Sequence, residues 1–158
     1  MKKTQKLEAV LWSIALPGFG QLLNGHLLKG IIFILLEIMI NVMSSFNQAI
    51  MFSFFGKITE ASSVIEYQWL MFYPCVYMYA IYDAYKFAEG ENPQLSFLPF
   101  AFGAYFVTIG LIYSSNLFFG ILFGPIWLPM LFLIPGLAIG LIIRYVLLKF
   151  IYCSKTEG

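Results

Sequence analysis

Residues 31–55 read IIFILLEIMINVMSSFNQAIMFSFF, and Glu37 is the only charged side chain among them. A helix needs roughly 20 apolar residues to cross the hydrocarbon core of a bilayer, and this stretch exceeds that length. The rest of the chain has the same character. Of its 158 residues, 61% are hydrophobic and 19% aromatic, against 11% charged. A soluble domain carries about 25% charge, so a chain of this composition could not cover itself with a wet surface. The length fits one domain, and the class that follows is an integral membrane protein. Spanning segments must pair their backbone groups internally, and no alternating barrel strands occur, so the spans are helical. A net charge of +1, with no basic arm or aromatic-basic groove, argues against nucleic acid as a partner.

Working outward, residues 56–66 (GKITEASSVIE) form a polar loop and 67–85 a tyrosine-rich span. Residues 86–96 (KFAEGENPQLS) are the most loop-like stretch. Beyond Leu95 only Arg144 and Lys149 carry charge before Cys153, which leaves room for spans near 97–113 and 117–143, turning at Ser114-Ser115-Asn116. Residues 7–23 are apolar but short and run into Pro17, Gly18 and Gly20, which break a lipid-exposed helix. They look like a signal peptide, but Pro-Gly-Phe-Gly-Gln stands where a small-residue cleavage site belongs, so the segment is expected to be retained.

The distribution of basic residues chooses the topology. With 7–23 as a fifth span, the nine lysines and arginines scatter over both sides. With 7–23 re-entrant or interfacial, all of them except Lys57 share one side, together with both termini. The expected fold is therefore all-α: a polytopic bundle of four spanning helices plus an N-terminal re-entrant or interfacial helix. It forms one membrane domain over 1–158 in a cell membrane, with both termini cytoplasmic. Cys75 and Cys153 have no spacing that reads as a disulfide or metal site, and no cofactor is expected.

Three features could carry function. The first is Pro17-Gly18-Phe19-Gly20-Gln21, followed by Asn24-Gly25-His26 and Lys29-Gly30. Its glycines permit close helix approach, and irregular backbone at membrane depth must be covered by protein or line a wet cavity. His26 is the sole histidine and cannot make a metal site or a triad, so it reads first as an interfacial polar residue.

ALPGFGQLLNGHLLKGIIFILLEI (15–38) resembles the PG-x-GQ-x-Y-x-G-x-x-x-x-G opening of bacterial membrane proteins of the TM-two (two-transmembrane) domain family. Ile81-Tyr82-Asp83-Ala84-Tyr85-Lys86-x-Ala88 resembles the D-A-Y-x-x-A ending of such domains. The likeness covers residues 10–90. Leu23 replaces the usual aromatic, and the long loop and C-terminal spans depart from the two-span pattern. The resemblance implies a multi-helix membrane domain and supplies no catalytic residue.

The second feature is a polar stripe: Glu37, Asn41, Ser44 or Ser45, and Gln48, spaced to share one helix face. It reads either as a ladder of interhelical hydrogen bonds, each worth about 0.6–2 kcal/mol, or as a pathway or groove for an ion or small polar molecule. The third is charge at depth. Glu37, Asp83 and Arg144 lie on three different spans toward one membrane face and are costly in lipid unless they turn inward. They are expected to converge, with Arg144 pairing one carboxylate.

Tyr67 and Trp69 suit the outer interface, and Tyr82 and Tyr85 the inner. Gly120-x-x-x-Gly124 and Gly136-x-x-x-Gly140 suit close helix packing, while Pro125, Pro129 and Pro135 are expected to kink or interrupt the last span. No GxSxG, HExxH, phosphate loop or CxxC occurs, which disfavours an enzyme. The expected role is a scaffold or partner-binding subunit, with the lipid bilayer and other membrane proteins or a second copy as partners. A small transporter using the Glu37 face and a lipid-headgroup-binding protein are the alternatives.

Overall fold

The computed structural model describes residues 4–118 and 120–156, and they are predominantly helical. Helix α1 (Lys6–Ala15) stops at Leu16, which is extended at φ −154°, ψ 117°, as the residue before a proline is pushed to be. Gly18 then takes φ +107° and reverses the chain into the short α2 (Phe19–Leu23). Gly25, at φ +82°, turns it again into α3 (Leu27–Ser44). Residues 7–23 thus form two short helices about a proline-glycine break, packed on each other and on α7 (Tyr73–Phe87).

The stretch 31–55, expected as one span, is two helices. Ser45 adopts a left-handed conformation (φ 56°, ψ 30°) between α3 and α4 (Phe46–Phe54). The local side chains explain the break. Ser44 Oγ donates to the Ile40 carbonyl at 2.6 Å, and Asn41 Oδ1 accepts the Asn47 backbone N–H at 3.2 Å. Serine and asparagine here offer the backbone alternatives to the helical ladder.

After Gly56, at φ +74°, come α5 (Ile58–Val64) and α6 (Tyr67–Leu70), which leads through a turn into α7. Helix α8 (Leu98–Ile112) follows the 88–97 loop. Pro74 and Pro99 lie in the first turns of α7 and α8, where a missing N–H costs nothing. The last span does not begin at 117. A small antiparallel hairpin of β1 (Leu117–Phe118) and β2 (Ile121–Leu122) comes first, and α9 (Gly124–Thr156) then runs as one unbroken helix through Pro129 and Pro135.

Helices α8 and α9 form an antiparallel pair held at glycines. A Cβ on Gly110 would lie 2.7 Å from Pro129 Cα, one on Gly136 2.8 Å from the Phe102 carbonyl, and one on Gly140 2.6 Å from Pro99 Cα. Among the described residues Gly120 has no such neighbour within 4 Å, while a Cβ on Gly124 would meet Ile58 of α5 at 2.6 Å; of the two expected glycine pairs, Gly136–Gly140 packs helix on helix with both members. Gly136→Ala is expected to lower stability by about 1–3 kcal/mol through overpacking, read as a lower melting temperature in detergent.

Among the described residues two helices are long and apolar enough to cross a membrane, Leu27–Ser44 and Gly124–Cys153, and only 28% of the apolar window of each is buried. A core helix of a soluble protein would be mostly covered; here Leu28, Val42, Ile134 and Phe150 stand 68–73% exposed. Four such spans were expected, but α8 is shorter and the 67–87 stretch is divided between α6 and α7. At 1.5 Å per residue, Gly124 to Arg144 covers about 30 Å, one hydrocarbon thickness. Contacts of Lys6 with Asn92, Lys29 with Asp83 and Arg144 with Gln94 gather these basic groups, with Lys86, at one end of the molecule. Lys57 lies at the opposite end, where α5 meets the start of α9.

Candidate functional site

The two motif stretches, 60 residues apart in sequence, dock on each other. Gln21 is fully buried. Its Nε2 donates to the Ala80 carbonyl at 2.7 Å and to Asp83 Oδ2 at 3.3 Å. Asn24 Nδ2 donates to the Ala84 carbonyl at 2.8 Å. Lys29 Nζ completes the node with an ion pair to Asp83 Oδ1 at 2.8 Å. Asp83 is 3% exposed, and a carboxylate buried to that degree is tolerated only when paired and hydrogen-bonded.

The glycines make this approach possible. A Cβ on Gly20 would lie 2.5 Å from the Ala9 carbonyl and 2.7 Å from Ala84 Cβ, so α1, α2 and α7 meet at that point. Gly18 faces the Gly30 carbonyl and Ile34, and Gly30 faces Leu22. Pro17 is fully buried and Ala88 is 4% exposed. Lys6 fastens the outer rim: its ammonium donates to the Tyr85 carbonyl at 3.1 Å and Asn92 Oδ1 at 2.7 Å, and lies 4.2 Å from the Tyr85 ring centroid. Partial desolvation holds that ammonium below its ordinary pKa. His26 packs edge-on against Phe87, with centroids 4.9 Å apart.

The polar stripe divides. Glu37 is 8% exposed and accepts a hydrogen bond from Tyr73 Oη at 3.1 Å. Tyr73 in turn stacks on Tyr77, centroids 5.2 Å apart, and Tyr77 donates to the Ile14 carbonyl. Glu37 Oε2 is buried without a hydrogen-bond partner among the described residues. Asn41 turns to Asn47, and Gln48 is exposed on α4, beyond the break at Ser45.

Glu37, Asp83 and Arg144 do not share partners. Asp83 pairs with Lys29, Glu37 with Tyr73, and Arg144 Nε donates to the Gln94 carbonyl at 3.0 Å. The physical reason is the helix order: α9 packs on α8, one layer removed from α7, whereas Lys29 enters α3 directly beside the end of α7. The signal for that pairing lay in the motifs, since the lysine belongs to one half and the aspartate to the other. Nothing in the sequence singled out Tyr73 as the partner of Glu37.

A further feature emerges only in three dimensions. Helices α3, α7 and α8 enclose an open apolar crevice of about 910 Å³, walled by Phe33, Cys75, Tyr79, Tyr82, Phe100 and Ala101 among others. That volume lies within the ~300–1,000 Å³ typical of ligand sites. Among the described residues no group of three or more His, Cys, Asp or Glu could hold a metal ion. Compared with family models, curated proteins and solved structures, the chain matches none.

Proposed function

We propose that this chain is a multi-pass membrane protein that works by binding rather than by chemistry: a rigid helical scaffold presenting the α3–α7–α8 crevice to a hydrophobic ligand within the bilayer. The crevice is the observation that carries this reading, because it is ligand-sized, ring-lined and open. The interlocked node supports it by fixing α3 against α7. In this arrangement the segment 7–23 is re-entrant, α3, α6–α7, α8 and α9 cross, and the end bearing Lys6, Lys29, Lys86 and Arg144 is cytoplasmic, following the charge rule. The motif likeness to TM-two domains supports a multi-helix membrane domain over residues 10–90, and α8 and α9 lie outside it.

Cys75 lies exposed in the crevice wall and reports its character. In a Cys153→Ser background, Cys75 is expected to react in intact membranes with an apolar maleimide and not with a charged, impermeant one. Equal reaction with the charged reagent would mean a wet passage and would sink the reading.

One observation favours a second function. The orphan Glu37 Oε2 is what a small transporter would need for a transient proton or cation. On that reading Glu37→Gln keeps the fold and abolishes ion movement in proteoliposomes; on the scaffold reading no ion movement exists to be lost.

A further inference from the structure

Two lysines stand just beyond one end of the crevice lining. Lys29 lies four residues before Phe33 on α3, and Lys86 four residues after Tyr82 on α7. At helical periodicity each stands one turn beyond the crevice wall on the same face. Their ammonium groups converge on one ring, Lys29 Nζ at 4.1 Å and Lys86 Nζ at 5.8 Å from the Phe87 centroid. His26 packs against that ring as well. Asp83 neutralises Lys29, while Lys86 has no ion pair among the described residues. A separate polar recess of about 330 Å³ lies at the end of α7, lined by Lys86, Phe87, Glu89 and Asn92. Glu89 brings a carboxylate there, and Lys6, which donates to Asn92, offsets it. With Glu91 of the same loop, and Arg144 held to its Gln94, the balance over four cations and three carboxylates remains positive.

The length fits one leaflet. From Cys75 at the far end of the lining to Lys86, one turn beyond its near end, α7 rises about 16 Å at 1.5 Å per residue, against the ~15 Å that one leaflet contributes to the hydrocarbon core. Resting on the crevice reading, we infer that the occupant is a single anionic phospholipid of the leaflet at the basic end. One acyl chain lies in the crevice and the phosphate rests at Lys86, the lysine that no described carboxylate pairs. A partner helix would need the apolar wall but not an unpaired cation at one end of it; a phospholipid of negative charge needs both.

The test is native mass spectrometry of the full chain in detergent, titrated with dioleoyl-phosphatidylglycerol and, separately, dioleoyl-phosphatidylcholine. One phosphatidylglycerol should be retained in preference to phosphatidylcholine. Lys86 is exposed, so Lys86→Gln should fold and reduce that preference about fivefold, the effect of one basic residue at an anionic surface. Lys86→Arg should restore it. Ala101→Trp, at an exposed position of α8 that lines the crevice, should displace both lipids. Equal retention of the two lipids by the unaltered chain, with loss of both in Ala101→Trp, overturns the anionic inference and leaves the crevice reading standing. Retention of both in a folded Ala101→Trp overturns the crevice reading as well. A dimer that forms in place of lipid retention, through the same face, overturns the lipid and makes a second copy the occupant.

Discussion

Gly20→Val is expected to remove nearly all folded protein, and Gly20→Ala to lower the melting temperature sharply. A methyl group at this position meets three groups at once, the Ser13 hydroxyl, the Ala9 carbonyl and Ala84 Cβ. The hydroxyl could rotate away, but a backbone carbonyl and a Cβ on two other helices cannot. Overpacking of this kind costs about 1–3 kcal/mol, and the branched valine adds a second and third methyl against the same walls. Folded proteins have only about 5–15 kcal/mol in hand. Leu28→Ala, at a 73% exposed position on the neighbouring helix, serves as control and should stay within about 0.5 kcal/mol. Fluorescence-detected size-exclusion melting of the detergent-solubilised chain reads all three.

Lys29→Met is expected to destabilise by about 2 kcal/mol. Breaking a fully buried ion pair costs about 3–5 kcal/mol, but the lysine side chain here is 43% exposed against 4% for the aspartate, which lowers the figure through solvent screening. The loss arises from Asp83, left in a closed space with only the Gln21 amide to satisfy it. Adding Asp83→Asn should recover most of it, because an asparagine oxygen still accepts from Gln21 and needs no cation. A double-mutant cycle with a coupling above about 0.5 kcal/mol would establish the pair. Simple additivity would show that Lys29 stabilises by other means, such as its position over Phe87.

How much of this was legible in the sequence depends on the range of the interaction. The break at Pro17–Gly18 and the extended Leu16 before it follow from local stereochemistry, and so does the start of α8 with Pro99 in its first turn. The division of 31–55 also had a local cause, the Ser44-Ser45 pair with Asn41 and Asn47, but a strongly apolar run outweighed it on hydropathy alone. The hairpin of 117–122 failed for the same reason: LFFGIL is as apolar as a span, and only Gly120 marks the turn.

The site was visible as two motifs and not as one place. Gln21, Asn24 and Lys29 each meet residues 80–84, yet depth along a helix does not say which helices are neighbours. Arg144 was therefore assigned to a carboxylate that α8 and the helix order keep from it. The crevice was beyond reach, because it depends on α3 and α8 packing on different parts of α7, which no residue pattern encodes.

The account stands on the chain crossing the bilayer with its basic end inside, and paired cysteine accessibility measures that most directly. In a Cys75→Ser/Cys153→Ser background, Glu60→Cys and Glu91→Cys place single thiols at exposed positions at opposite ends of the molecule. With an impermeant maleimide on intact cells, position 60 should label at once and position 91 only after permeabilisation. Labelling of both from outside, or of position 91 alone, would contradict it.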